Sequence, residues 1–171
     1  LSALQFYQPN LVDVIASILI ETNLPAKYLE LEITEDTVME SPQIAIDIML
    51  KIRRMGIYLS LDDFGTGYSS LVHLKKFPFN TLKIDKAFID DIEYCEQGRE
   101  MVETIISIGH NLDMLVIAEG VETSKQLSIL LGLKCEQIQG YLYSKPLNEQ
   151  DMNNFLFTHQ ITDKSTSFIN R

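Results

Sequence analysis

Ile57-Tyr58-Leu59-Ser60-Leu61-Asp62-Asp63-Phe64-Gly65 begins as a short apolar run and stops on two adjacent carboxylates and a glycine. A strand that is apolar along its length and acidic at its C-terminal end fits a parallel sheet, whose strands are buried and whose chemistry sits at their C-terminal ends. The same grammar recurs on both sides of it. Strand candidates are Tyr28–Thr34, Ile57–Asp62, Thr81–Ile84, Leu115–Ala118 and Gln137–Leu142. Helical periodicity fills the intervals at Pro42–Met55, Ser69–Lys76, Gly98–Asn111, Ser124–Leu131 and Asn148–Phe157, and a further amphipathic stretch, Pro9–Thr22, opens the chain. Alternating strand and helix signals predict βα units on a parallel sheet. Eight-unit barrels take about 250 residues, so five units predict an incomplete barrel lacking about three units on its N-terminal side. An open doubly wound sheet accommodates the same five strands.

Two helices can be read in more detail. Ser41 is placed to cap Pro42–Met55, Pro42 suits its first turn, and Ile44, Ile46, Ile48, Met49, Ile52 and Met55 are its apolar positions. In Pro9–Thr22 the expected buried residues are Leu11, Val12, Val14, Ile15, Ile18 and Leu19.

The chain has 171 residues, 46 % hydrophobic and 22 % charged, which predicts one globular domain over residues 1–158, followed by a polar and flexible tail at 159–171. No apolar run approaches the roughly 20 residues that span a bilayer, and no basic-then-apolar leader opens the sequence. Cys95 and Cys135 stand apart, without the spacing of a zinc site or disulfide framework, so a cytoplasmic location is expected. A net charge of −10 argues against a nucleic-acid polymer as partner, though a small phosphate ester remains accessible through metal ions.

Ionisable or polar residues end every predicted strand. Alternation sets Glu30 and Glu32 on one face of the first strand and Leu29, Leu31 and Ile33 on the other; Glu35 follows. Inward, Glu32 would be costly to bury without a cation; on an edge strand it would be solvated. Asp62 and Asp63 repel each other and call for a counter-charge, which divalent cations held by carboxylate oxygens supply; an Asp-Asp-x-Gly turn is the bland alternative. Gly65 and Gly67 permit a tight loop through Phe64, Thr66, Tyr68, Ser69 and Ser70. Lys83 and Asp85 point to one side, where the lysine can orient a water or phosphate or form a surface ion pair. Glu119 ends the fourth strand, Glu122 is placed to favour the start of the next helix, and Gln139 with Gly140 ends the fifth. His73, His110 and His159 lack ligand spacing and are read as structural or exposed.

Taken together, LELEITE (29–35), LDDFGTGYSSL (61–71), TLKIDKAFI (81–89), VIAEGVET (116–123) and QGYLYSKPL (139–147) resemble the EAL-domain family, in order and spacing, to about residue 155. The resemblance implies an α/β fold, a (β/α)8 TIM-type barrel, and hydrolysis of the bacterial second messenger cyclic di-GMP to linear pGpG with Mg²⁺ or Mn²⁺, Ca²⁺ being inhibitory. It implies metal ligands at Glu32, Asp62, Asp63 and Glu119, with Asp62 bridging. Lys83 would hold the nucleophilic water, Glu119 would be a metal-site carboxylate or general base, and Gln139 and Gly140 would line the ligand site. Glu35 would steady the Asp63–Ser70 loop, coupling the site to a homodimer interface, while Asp85 and Glu122 would support the site. Partner sensory or GGDEF domains are also implied. The family's Glu-Ala-Leu strand and a metal-binding asparagine are expected to precede residue 1, so weak or absent turnover is expected of this polypeptide by itself. A degenerate barrel that binds cyclic di-GMP or a protein without catalysis is the alternative; a two-carboxylate glycosidase is disfavoured by the adjacent aspartates and the lysine.

Overall fold

The structure, a computed structural model, describes residues 1–65 and 71–159. The expected loop residues Thr66, Gly67, Tyr68, Ser69 and Ser70 and the tail from residue 160 onward lie outside the described residues.

Among the described residues, β1 (Glu30–Thr34), β2 (Tyr58–Phe64), β3 (Thr81–Ile84), β4 (Leu115–Ala118) and β5 (Gln137–Ile138) form one sheet in sequence order. Every neighbouring pair is parallel. This order decides between the two architectures left open by the pattern. A doubly wound sheet reverses its strand order at a switch point, whereas a barrel adds each strand beside the last. The fold is therefore an incomplete barrel, with β1 and β5 as its edges.

Helices α1 (Ala3–Phe6) and α2 (Leu11–Thr22) precede β1, from which a 3₁₀ turn at Ala26–Tyr28 separates them. Next come α3 (Glu35–Glu40) and α4 (Pro42–Arg54) before β2, α5 (Leu71–Leu74) before β3, α6 (Lys86–Ile89) and α7 (Glu96–Asn111) before β4, α8 (Ser124–Gly132) before β5, and α9 (Glu149–His159) at the end. α4 starts on Pro42 and closes with Lys51, Arg53 and Arg54, which complement the helix dipole. Its buried residues Ala45, Met49 and Ile52 recur at helical spacing, as do Val102, Ile105, Ile106 and Gly109 on α7. These stripes belong to the same core as Ile33, Leu59, Leu61, Leu82, Ile84, Val116 and Ala118 on the outward face of the sheet. Each fully buried Leu or Ile contributes about 1.5–3 kcal/mol of transfer free energy. Gly109 lets α7 lie close, since a Cβ there would come within 2.5 Å of Val116 Cγ2.

Several expectations need correction. Ser41 precedes α4, but no side-chain capping hydrogen bond is present among the described residues. Ile44 on α4 and Val14 and Ile18 on α2 are exposed; the buried stripe is narrower than the run of apolar residues. The predicted strand Tyr28–Thr34 opens instead on the 3₁₀ turn, and Gln137–Leu142 keeps strand geometry only to Ile138, because the chain folds back to pair Leu142 N with Val121 O. β2 runs two residues further than predicted.

Candidate active site at the strand ends

The site is built around Lys83. β3 holds it between two apolar neighbours, Leu82 and Ile84, and its side chain is 5 % exposed. Its Nζ donates to Glu32 Oε1 at 2.6 Å and lies 2.6 Å from Glu119 Oε1 and 3.4 Å from Asp62 Oδ1. Parallel register explains the convergence. Glu32 pairs with Ser60, two residues before Asp62; Ser60 pairs with Thr81, two before Lys83; and Lys83 pairs with Ile117, two before Glu119. Side chains two apart share a face, so one lysine and three carboxylates from four strands meet at one end of the sheet.

Burial opposes the charge on Lys83, but hydrogen bonds to Glu119 and Glu32, with the nearby Asp62 charge, outweigh it and hold the ammonium above the ordinary lysine value. In this ring of carboxylates the charged form of Lys83 is the favoured one. The reading of Lys83 as a surface ion pair is corrected by its burial. For Glu32 the structure takes the edge-strand alternative: its side chain is 51 % exposed, because β1 is an edge strand.

β2 is irregular where the chemistry lies. Its register against β3 shifts between Leu61 and Phe64, and Asp63 takes a left-handed backbone with φ of 57°. The bulge breaks alternation, so the paired aspartates do not sit on strictly opposite faces. Burial first, then the charges of Asp62 and Asp85, raise the Asp63 carboxyl above the usual carboxylate range. Phe64 is buried, and Gly65 follows with φ of 96°; a Cβ there would press on Phe88 Cζ at 3.0 Å. Only glycine adopts that conformation without strain.

The remaining expected residues occupy distinct places. Glu35 opens α3 and is 3 % exposed; its Oε2 has no hydrogen-bond partner among the described residues. Asp85 caps α6 by accepting from Ala87 N at 2.7 Å. Glu122 reaches Lys86 Nζ at 2.7 Å, while the start of α8 is capped by Thr123 and Gln126. Gln139 is exposed, its backbone tied to Ala118 O and Val121 N, and Gly140 packs against the Val121 backbone. His110 ends α7 in a pair with Glu136 at 2.7 Å, away from this cluster. Lys86 was missed in the sequence; its spacing of four from Asp90 on a helix was the available signal.

Glu32, Asp62, Asp63 and Glu119 are oxygen donors of the type hard divalent cations prefer. Among the described residues no group of three or more His, Cys, Asp or Glu side chains is arranged to hold a metal ion; the Lys83 ammonium occupies the centre of three of the carboxylates.

A parallel barrel-type sheet with acidic strand ends around a buried lysine defines an α/β enzyme-like domain. Residues 1–146 match the family model described as EAL domain, and the chain belongs to that family. A cyclic di-GMP phosphodiesterase of Pseudomonas aeruginosa, NbdA, is 43 % identical over 147 residues, 86 % of this chain and 19 % of its own length. The PaMucR phosphodiesterase, solved as a c-di-GMP complex, superposes with a TM-score of 0.85 at 39 % identity, covering 89 % of this chain and 62 % of that one. The Klebsiella pneumoniae protein BlrP1, solved as a calcium/cy-diGMP complex, gives 0.76 at 28 % identity, covering 83 % and 36 %. The chain spans about a fifth of the length of the curated relatives it matches.

Proposed function

We propose that this chain supplies the acid-and-lysine side of a phosphodiesterase site that hydrolyses cyclic di-GMP to linear pGpG. One observation carries the reading: Lys83 is buried between Glu32, Asp62 and Glu119 at the strand ends of an EAL-family sheet. Glu32, Asp62, Asp63 and Glu119 carry oxygen donors of the kind Mg²⁺ or Mn²⁺ prefers and are the residues that would hold such ions. Such ions would, when bound, supply polarisation of the phosphoryl group and a lowered pKa for an attacking water. The chain's own residues do the rest. Lys83 would orient that water by donating to it. Glu119, with its side chain partly exposed, accepts the proton and is the general base. Asp85 and Glu122 steady the loops. Ca²⁺, which prefers more ligands at longer distance, inhibits.

The proposal extends to a cytoplasmic homodimer accompanied by further signalling domains; among the described residues no helix is long and apolar enough to cross a membrane. Turnover is to be measured on the chain by itself and on the chain preceded by the first units of an EAL barrel. The test is chromatographic assay of cyclic di-GMP incubated with each protein and Mg²⁺ or Mn²⁺. pGpG is expected to form, and Asp62→Ala or Glu119→Ala to abolish it. Metal-dependent turnover that survives Asp62→Ala would refute the mechanism.

A further inference from the structure

Glu119 sits at the start of a loop, and a loop residue can act as a base only if something holds its backbone. Two neighbours do so from opposite sides. On one side lies Gly140: a Cβ there would fall 2.2 Å from Val121 O and 2.4 Å from Val121 N, so the β5 end is pressed against the backbone of the β4 loop. Val121 N donates to Gln139 O at 3.1 Å and Leu142 N to Val121 O at 2.9 Å across the same seam.

On the other side lies Lys86. Gly120, with φ of 68°, is covered by its aliphatic stem; a Cβ on Gly120 would meet Lys86 Cγ at 2.3 Å and Cβ and Cδ at 2.7 Å. The ammonium then continues past the glycine to Glu122 Oε1 at 2.7 Å, while its own helix returns Asp90 Oδ1 at 3.0 Å. The base of this arm is fixed as well, because Asp85 caps α6 one residue earlier. All three charged side chains are about half exposed, so the ion pairs add little stability. What they add is placement: stem on Gly120 and head on Glu122 bracket the loop that begins at Glu119.

We infer that Lys86 is a positioning residue, a strap from the end of β3 across the β4 loop that sets the Glu119 carboxylate against Lys83. The inference rests on the phosphodiesterase reading for its catalytic consequence but not for its geometry. Lys86→Ala removes both stem and charge; Lys86→Arg keeps both. Two measurements on the same proteins separate the questions. The ¹H–¹⁵N resonance of the buried Lys83 ammonium, which reports its bond to Glu119, is expected to shift and exchange faster in Lys86→Ala and to return in Lys86→Arg. Turnover of cyclic di-GMP with Mn²⁺ is expected to fall about tenfold in kcat with KM within about twofold, and to recover in Lys86→Arg, the pattern of a group misplaced in the transition state. An unmoved Lys83 resonance, or a moved one with unchanged kcat, overturns the inference. If the wild-type chain hydrolyses nothing either by itself or preceded by the first units of an EAL barrel, the phosphodiesterase reading falls, and the resonance still decides whether Lys86 places Glu119.

Discussion

Replacing Lys83 by methionine tests the electrostatic account of the site without any ligand. Methionine keeps the length and apolar bulk of the stem, so the change removes chiefly the charge. Two of the three carboxylate oxygens lie 2.6 Å from the ammonium nitrogen and the third 3.4 Å, so no two of them are further apart than about 5–6 Å. At an effective dielectric of about 20, two unit charges at that distance repel by about 3 kcal/mol. Glu32 is half exposed and turns outward at little cost, which discounts its share. A loss of about 2–3 kcal/mol at pH 7 is the result, read as a lowered urea midpoint at unchanged slope. The pH dependence has a definite sign. The folded-state value for Lys83 is raised, so its contribution is fully present below the ordinary lysine value and is lost only as pH rises through the higher folded value. The deficit of the mutant therefore stays constant from neutral to mildly alkaline pH. Added Mn²⁺ should recover part of it at pH 7. A deficit below about 0.5 kcal/mol, or one that vanishes between pH 7 and pH about 9, refutes the view that Lys83 is the counter-charge of this cluster.

Two further outcomes are expected. Gly140→Ala should destabilise more than Gly120→Ala, because the first collides with rigid backbone at Val121 and the second with a side chain that can swing away, though Gly120 also has a positive φ; Gly132→Ala, with nothing within 4 Å among the described residues, should fall within about 0.5 kcal/mol of wild type in the same urea assay. Burial pushes the Cys135 thiol up to about 11, so at pH 8 a thiol reagent should label Cys95 in the native protein and reach Cys135 only on unfolding, counted by mass spectrometry.

The strands from Thr81–Ile84 and Leu115–Ala118 were legible to the residue because each is a wholly apolar or alternating run between clear breaks. The run ELEITEDTVME has no glycine or proline to mark where strand becomes helix, which is why α3 went unread and Glu35 was placed with the strand-end acids rather than at a helix start. α1 and α6, at four residues each, are too short to show periodicity. Among the site residues, the side-sharing of Lys83 with Asp85 and of Glu30 with Glu32 follows from a period of two. The meeting of Glu32, Asp62, Lys83 and Glu119 does not, since register between strands is set by packing and loop length. Nor does composition announce a positive φ at Asp63, where Asp differs little from any other polar residue in the sequence and only the bulge reveals the bend.

That bend bears on how the site should be dissected. Asparagine and glycine tolerate the left-handed region better than alanine does. Asp63→Asn is thus a clean removal of charge at constant shape, whereas Asp63→Ala mixes a lost carboxylate with a strained main chain, and a dead alanine variant would say as much about the backbone as about the acid.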